Sequence, residues 1–361
     1  MIPIANPDLT GNEEKYLLDA FRSGFISSQG DYIPRFEEGF AKFVRVEYAL
    51  SVFNGTVALQ LAIAAMGIGP GDEVIMPVTS FIATANSVRH AGATPVFVDI
   101  SLDDWCIDVR KIEEKITNKT KAILVVHLYG HPAPMRELQE IAKKHGLYLI
   151  EDCAEAHGAM YEGMPVGSIG DVGTFSFFGN KIMTTGEGGM VTTRSEDLFN
   201  KMRILKNHGS DPARNYWHPV AGFNYRITNL QAAIGLAQLE RVEYFLNRRR
   251  KICNFYDANL AGLGLIFQPK KNNIECAPWM YSALLTDKHI PVDEFRERLK
   301  FEGIDTRPLF LPMNKMPPYQ DSVEYKNADC IGMYGFNLPT SPTLNDDALG
   351  QIISAIKKVI K

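Results

Sequence analysis

The sequence lacks the features that mark several specialised classes of protein. Its five cysteines are an odd number without regular spacing, and no two of them form a CxxC pair. A disulfide framework or a structural zinc site is therefore not expected, and we predict no metal. No apolar run reaches the roughly 18 residues that a membrane-spanning helix needs. The N-terminus has no basic region followed by an apolar core, so it does not resemble a secretory signal.

Neither positive nor negative charge is in large excess. The formal net charge is −4, which gives no indication of binding to nucleic acid or to an anionic membrane surface. Together these absences predict a cytoplasmic protein without a nucleic-acid or membrane partner.

The composition that is present is that of an ordinary globular protein, with 45% hydrophobic and 22% charged residues. A length of 361 residues predicts about two domains. Beyond Gly262 the pattern changes to shorter strands, two proline-rich turns and two helices. We therefore predict a large domain over residues 1–250 and a smaller α+β domain over 251–361.

Strand-like and helix-like segments alternate along the first half of the chain. Apolar runs predict strands at 49–53, 73–76, 95–99, 121–126 and 147–150, with helices at 57–66, 82–90 and 135–145 between them. Such βαβ alternation predicts an α/β fold with a mostly parallel central sheet, whose ligands bind beyond the carboxyl ends of the strands. A longer helix is predicted at 229–250.

One lysine lies in an unusual setting. The segment GTFSFFGNKIMTTGEGGMVTT, residues 173–193, places Lys181 on a glycine-rich loop between strands predicted at 172–178 and 190–193. A fixed position and a desolvated setting lower the pKa of an amine, as a Schiff-base lysine requires. For an isolated lysine, however, an ordinary solvated loop is the more common explanation.

Two further signals accompany this lysine. The turn Asn54-Gly55-Thr56 opens a helix whose free N–H groups suit a phosphate, although simple capping by Asn54 is the alternative. Asp152 follows a strand and suits a protonated ring nitrogen, although such an acid is also often a helix cap or a metal ligand. Pyridoxal phosphate needs phosphate donors, a carboxylate and an amine. The three signals together predict this cofactor.

Several segments then carry a family resemblance: GDEVIMPVTSFIATANSV, ATPVFVD, VHLYGHP, IEDCAEAHGA, TFSFFGNKIMTTGEGGM and GFNYRITNLQAAIGLAQLE. They resemble the DegT/DnrJ/EryC1/StrS family of sugar aminotransferases over nearly the whole chain. The resemblance implies a PLP-dependent aspartate-aminotransferase-type fold (fold type I), acting as a homodimer with shared active sites. It also implies transfer of the amino group of glutamate to a nucleotide-linked 4-keto-6-deoxy sugar, for surface-polysaccharide synthesis. A 3-keto sugar, another nucleotide sugar, a smaller keto compound, and a non-catalytic regulatory role stay open as alternatives.

The resemblance implies a role for each matching residue around the cofactor. Lys181 matches the Schiff-base and proton-shuttling lysine, and relatives with histidine there dehydrate their sugar instead of aminating it. The other expected cofactor contacts are Asp152 at the ring nitrogen, Glu155 near the ring hydroxyl, Phe81 stacked on the ring, Gly55, Thr56 and Ser176 at the phosphate, and Asn224 reaching the phosphate from the neighbouring subunit.

Substrate contacts are expected from further segments, namely from Ser27, His127, Tyr129, Arg226, Asn314 and Tyr319. Asn314 stands in LFLPMNKMPPY, where many relatives have histidine, which leaves the identity of the sugar open. Arg226 has a planar fork that suits a carboxylate or a pyrophosphate, although an ordinary ion pair is equally possible. The aromatic stretch 207–226 is long for a loop, which predicts a functional segment.

Overall fold

The computed structural model describes residues 1–286 and 290–360. Its helices are α1 Glu13–Arg22, α2 Tyr32–Val44, α3 Gly55–Ala65, α4 Ala83–His90, α5 Met135–His145, α6 Glu196–Lys206, α7 Asn229–Glu240, α8 Val242–Leu260, α9 Val292–Phe301, α10 Lys326–Tyr334 and α11 Asp346–Ile360. Its strands are β1 Tyr48–Val52, β2 Glu73–Pro77, β3 Thr94–Val98, β4 Thr120–Val126, β5 Tyr148–Asp152, β6 Met160–Tyr161, β7 Met164–Pro165, β8 Val172–Ser176, β9 Gly189–Thr193, β10 Leu265–Phe267, β11 Ile274–Glu275, β12 Tyr281–Leu285, β13 Arg307–Pro308 and β14 Gly335–Leu338. In the ranges just given, no helix combines the length and the hydropathy that crossing a membrane requires.

The central sheet has seven strands in the order β1-β9-β8-β5-β4-β2-β3. Neighbours from β8 to β3 are parallel, and only β9 runs against the others. The inner strands are largely buried because helices cover both faces; all residues of β8 are buried, for example. The predicted mostly parallel α/β sheet is confirmed.

The parallel register brings the ends of three strands to one edge of this sheet. Val126 at the end of β4 pairs with Asp152 at the end of β5, and Asp152 pairs with Thr174 of β8. Strand β8 ends at Ser176, two residues earlier than predicted, because the chain turns after Phe177. The Phe177 N–H donates to Gly188 O, and its carbonyl accepts from Thr185 N. The loop that carries Lys181 is therefore tied at its base to the sheet edge.

A second, four-stranded sheet of order β10-β12-β14-β13 lies in the C-terminal part. It packs with α8, α9 and α11 around a separate apolar core that includes Tyr256, Phe295 and Phe336. Trp279 and Leu309, from the same part of the chain, pack instead into the core of the large sheet. The expected boundary between residues 250 and 251 falls inside α8, so the division into domains stays a prediction.

The predicted helix at 229–250 was wrong in one respect, since the structure breaks it at Arg241 into α7 and α8. The backbone of Arg241 leaves helical geometry at φ −115° and ψ 6°. Its guanidinium donates to both carboxylate oxygens of Asp8 near the N-terminus. This long-range ion pair has no counterpart in the local helical pattern.

Candidate active site

A cavity of about 360 Å³ opens at the carboxyl ends of β5 and β8, beside the start of α3. Seven of the residues predicted to serve the cofactor line it together: Gly55, Thr56, Phe81, Asp152, Glu155, Ser176 and Lys181. They come from four separate segments of the sequence, and the parallel sheet brings those segments to one edge. The cavity is therefore the candidate active site.

One corner of the cavity is the start of α3. Asn54 caps this helix, since its Oδ1 accepts from Val57 N at 3.0 Å, so the capping interpretation is confirmed. The N–H groups of the first helical turn have no partner within the helix, and they carry the positive end of its dipole. A Cβ on Gly55 would lie 2.7 Å from the Cβ of Ser176. Only glycine lets the helix start and Ser176 approach this closely.

A second corner holds Asp152. Its carboxylate accepts from Thr84 Oγ1 at 2.9 Å and from Ala154 N at 3.2 Å, and Ser80 in turn bonds to Thr84. Burial raises the pKa of this acid in spite of these bonds. A buried carboxylate of this kind is stabilised by a cation placed beside it. A protonated ring nitrogen is such a cation.

Lys181 projects into the cavity between an acid and an aromatic ring. Its Nζ lies 3.9 Å from Glu155 Oε1 and 3.6 Å from the ring centroid of Trp279. Burial lowers the pKa of the amine, while Glu155 and Asp152 oppose that shift. Burial also raises the pKa of Glu155 to about 7, against the opposing effects of Lys181 and the Tyr129 N–H. A lysine with a lowered pKa is more often unprotonated, and hence nucleophilic, at neutral pH.

The groups that line the cavity can be compared with those that pyridoxal phosphate needs. The cavity offers N–H donors and a hydroxyl at one corner, a buried carboxylate at another, and an amine that projects into it. The Asn180 side-chain oxygen, also in the lining, is buried without a hydrogen-bond partner among the described residues. The set of groups present therefore fits the cofactor.

The structure places His127 behind the cavity, outside its lining. The ring is fully buried; Nε2 lies 3.0 Å from Glu151 Oε2, and Nδ1 accepts from Ala133 N. The sulfur of Cys153 is close to this pair, within 4.8 Å, so the three residues have the composition of a metal site. However, the Glu151 carboxylate already accepts bonds from the backbone of Gly167, Ile169 and Gly170. This saturation indicates a structural role for the group.

Three other residues expected to contact substrate are also buried and lie outside this cavity. The Tyr129 N–H donates to Glu155 Oε2, and the Tyr129 hydroxyl accepts from Phe310 N. Tyr129 therefore supports two residues of the cavity lining without lining the cavity itself. Asn314 donates to Asp321 and to Val323 O, and thereby closes the loop that follows it. Tyr319 donates to Asn86 Oδ1 at 2.7 Å.

Ser27, Asn224 and Arg226 lie elsewhere on the same chain. Arg226 lines a separate cavity together with Ser28, and its guanidinium bonds to Asn224 and His208. Ser27 and Asn224 are exposed. A single chain therefore does not bring these three residues to Lys181.

The lining residues that sequence reasoning missed include Trp279, Arg307 and Phe310. All three come from the C-terminal part, and no local motif marks them in CAPWMY or DTRPLF. Thr84, which supports Asp152, was missed as well, although it lies in a segment that carries the resemblance. The backbone of Arg307 pairs with Asn337 in the second sheet, but its guanidinium has no hydrogen bond or ion pair with another residue inside the described ranges.

Comparison with known proteins decides the family. Residues 7–357 match the DegT/DnrJ/EryC1/StrS aminotransferase family. The chain belongs to this family. It is 46% identical to the GDP-perosamine synthase of Escherichia coli O157:H7 over 358 residues, which cover 99% of this chain and 98% of the relative. It is 47% identical to the GDP-perosamine synthase of Caulobacter vibrioides over 366 residues, with the same two coverages.

Solved structures agree with this family assignment. The crystal structure of S. venezuelae DesV, in complex with a ketimine intermediate, matches with a TM-score of 0.91 and 33% identity. The match covers 97% of this chain and 94% of DesV. The expected pyridoxal-phosphate aminotransferase fold is thus confirmed. The protein is an enzyme of this class, and its cofactor is pyridoxal phosphate.

Proposed function

We propose that this enzyme transfers the amino group of glutamate to C4 of GDP-4-keto-6-deoxymannose, and so makes GDP-perosamine for a surface polysaccharide. The observation that supports this acceptor most directly is the identity of 44–47% to three GDP-perosamine synthases over 99% of the chain. The lysine at position 181 favours amino transfer over dehydration, as the sequence predicted.

Pyridoxal phosphate, when bound, supplies an aldehyde that condenses with amines and a ring that accepts the electrons released at the reacting carbon. The start of α3 and Ser176 would hold its phosphate, Asp152 would keep its ring nitrogen protonated, and Phe81 would pack against its ring. Lys181 Nζ takes the proton from Cα of glutamate in the first half-reaction. In the second half-reaction the same Nζ delivers a proton to C4 of the sugar.

Arg307 is the residue that we assign to the carboxylate of glutamate. It lines the same cavity as Lys181, and its guanidinium is not engaged by another described residue. A planar guanidinium binds a carboxylate through two parallel hydrogen bonds. Arg226, the earlier candidate, lies in a different cavity and is already bonded to Asn224 and His208.

The active enzyme in this proposal is a cytoplasmic homodimer in which Ser27, Asn224 and Arg226 serve the site of the other subunit. Large apolar side chains are exposed near these residues and at the cavity mouth, as expected for a surface that a second copy covers. They include Phe21, Phe25, Phe81, Tyr216 and Trp217, of which Tyr216 is 96% exposed.

A visible absorption spectrum taken in three steps tests the proposed reaction. The loaded enzyme should be yellow, and glutamate should remove the yellow band. Adding GDP-4-keto-6-deoxymannose should then restore the band and yield GDP-perosamine. Lys181→Ala should show none of these changes.

The failures of this experiment have different meanings. Loss of the band with glutamate but no recovery with this sugar would contradict the acceptor and leave the half-reaction with glutamate standing. A band that glutamate does not change would contradict the donor. Full turnover by Lys181→Ala would contradict the role of the lysine.

A further inference from the structure

The Lys181 amine rests on an aromatic face that no sequence motif indicates. Its Nζ lies 3.6 Å from the centroid of the Trp279 ring, and the lysine side chain is only 11% exposed. An ammonium group within about 6 Å of an indole face is attracted to it, and the attraction is greater where water is excluded. Trp279 therefore stabilises the protonated form of this amine.

The indole is held in place from several directions. Its Nε1 donates to Asn180 O at 2.8 Å, next to Lys181 in the chain. The backbone carbonyl oxygen of Trp279 accepts from Arg249 Nη1 at 2.8 Å and from Thr340 Oγ1 at 2.7 Å. The ring of Tyr129 stacks on it, with centroids 6.4 Å apart and an interplanar angle of 17°. The ring cannot turn away from the lysine without losing the hydrogen bond to Asn180 O and the stacking on Tyr129.

Arg249 is an unusual anchor for a backbone carbonyl. It is buried, and no carboxylate among the described residues forms an ion pair with it. Burial lowers the pKa of its guanidinium to about 10. A buried cation without an acid is costly and is retained only when hydrogen bonds compensate for it. Here those bonds go to Trp279 and Thr340, which fixes the position of residue 279.

Lys181 needs a defined place when it is not bound to the cofactor aldehyde. It must then stay close to the reacting carbon and carry a proton, although burial favours the neutral amine. Among the charged groups that face it, Glu155 and Asp152 favour the ammonium form and Arg307 opposes it. We propose that Trp279 is a positioning residue that receives the Lys181 ammonium group between proton transfers. This inference rests on the proposed role of Lys181 as the amine that the cofactor captures.

The test measures how fast the apoprotein captures pyridoxal phosphate at different pH values. The rate follows the unprotonated fraction of Lys181, so its midpoint on the pH axis reports the pKa of the amine. Trp279→Leu should lower this midpoint by about one pH unit, since a desolvated cation–π contact is lost. Trp279→Phe keeps an aromatic face and should lie between Trp279→Leu and the native protein. Phe301→Leu, at an exposed ring outside the cavity, should leave the midpoint unchanged.

A purely structural role for Trp279 predicts a different order. Both Phe and Leu remove the hydrogen bond to Asn180 O, so equal midpoints in these two variants would overturn the proposal. If Trp279→Leu does not fold, Trp279→Phe alone tests the proposal. A midpoint for Trp279→Phe equal to that of the native protein would then overturn the proposal. A different outcome would contradict the proposed function itself, namely that Lys181→Ala captures the cofactor and shows the same spectrum as the native protein.

Discussion

Arg307 carries a guanidinium that faces the cavity and has no hydrogen-bond or ion-pair partner among the described residues, so its removal should mainly affect the group that it binds. We expect Arg307→Ala to raise KM for glutamate by about 10- to 100-fold, because charge-assisted hydrogen bonds contribute roughly 1.5–3 kcal/mol. Arg307→Lys should recover part of the loss, since it keeps the charge but not the fork. Steady-state kinetics with varied glutamate measures this.

Arg226→Ala is the matched comparison for this arginine. The second half-reaction, started from the aminated enzyme and the keto sugar, should be little changed in Arg307→Ala. If Arg226→Ala raises KM for glutamate and Arg307→Ala does not, the carboxylate assignment is refuted.

His157 is a buried ring whose nitrogens have no hydrogen-bond partner among the described residues. It packs against Phe175 and Phe177, with centroids 5.5 and 5.6 Å apart. Burial lowers its pKa to about 3, from 6.5 in the unfolded chain. Because the folded-state pKa is depressed, the stability that it contributes is present above pH 6.5 and is lost as the pH falls towards 3.

We therefore expect His157→Phe to make the protein less sensitive to acid. Between pH 7.5 and pH 5 the native protein should lose about 2 kcal/mol more of its free energy of unfolding than this variant. Urea unfolding at the two pH values measures the difference. His90→Phe, at an exposed ring, is the control and should behave like the native protein. If the native protein and His157→Phe lose the same free energy of unfolding between the two pH values, the expectation is contradicted.

Elements close to one another in sequence were the easiest to predict. The βαβ alternation, the Lys181 loop and the Asn54 cap all follow from local patterns, and the parallel sheet then brings Asp152 and Ser176 together. Trp279 and Arg307 could not be predicted, because their place depends on how the C-terminal part packs against the large sheet. The break at Arg241 was missed as well, and the ion pair that this residue makes with Asp8 is likewise a contact between distant parts of the chain.

The approach of α3 to β8 gives a prediction at the level of elements. Gly55→Ala would place a Cβ 2.7 Å from Ser176 Cβ, so the helix start must move away from the strand end. We expect the Kd of the apoprotein for pyridoxal phosphate to rise by about tenfold or more, since the N–H donors of the first turn shift with the helix. Spectrophotometric titration measures it.

Gly350→Ala is the control for this substitution. Gly350 is also helical, and a Cβ there meets nothing within 4 Å. It should leave the Kd unchanged and stabilise the fold slightly, by about 0.4–1 kcal/mol. An unchanged cofactor affinity in Gly55→Ala would show that the close approach is not needed for binding.

For the whole molecule, the proposed sharing of sites between subunits can be tested by mixing. Lys181→Ala removes the amine, and Asn224→Asp places a negative charge where a phosphate contact from the other subunit is expected. Each homodimer should be nearly inactive. After joint refolding, half of the dimers are mixed and each has one native site, so about a quarter of native activity should return. No recovery of activity in dimers shown to be mixed would mean that Lys181 and Asn224 of the same subunit serve the same site, and would contradict the proposed sharing.

The late position of Trp279 and Arg307 in the chain has a consequence for biosynthesis. Lys181, Asp152 and the start of α3 leave the ribosome well before the wall that Trp279 and Arg307 complete. At roughly 5–20 residues per second, the delay between Lys181 and Arg307 is on the order of ten seconds. A nascent chain therefore carries Lys181 without the enclosure that lowers the pKa of its amine, and we expect cofactor loading to follow completion of the polypeptide.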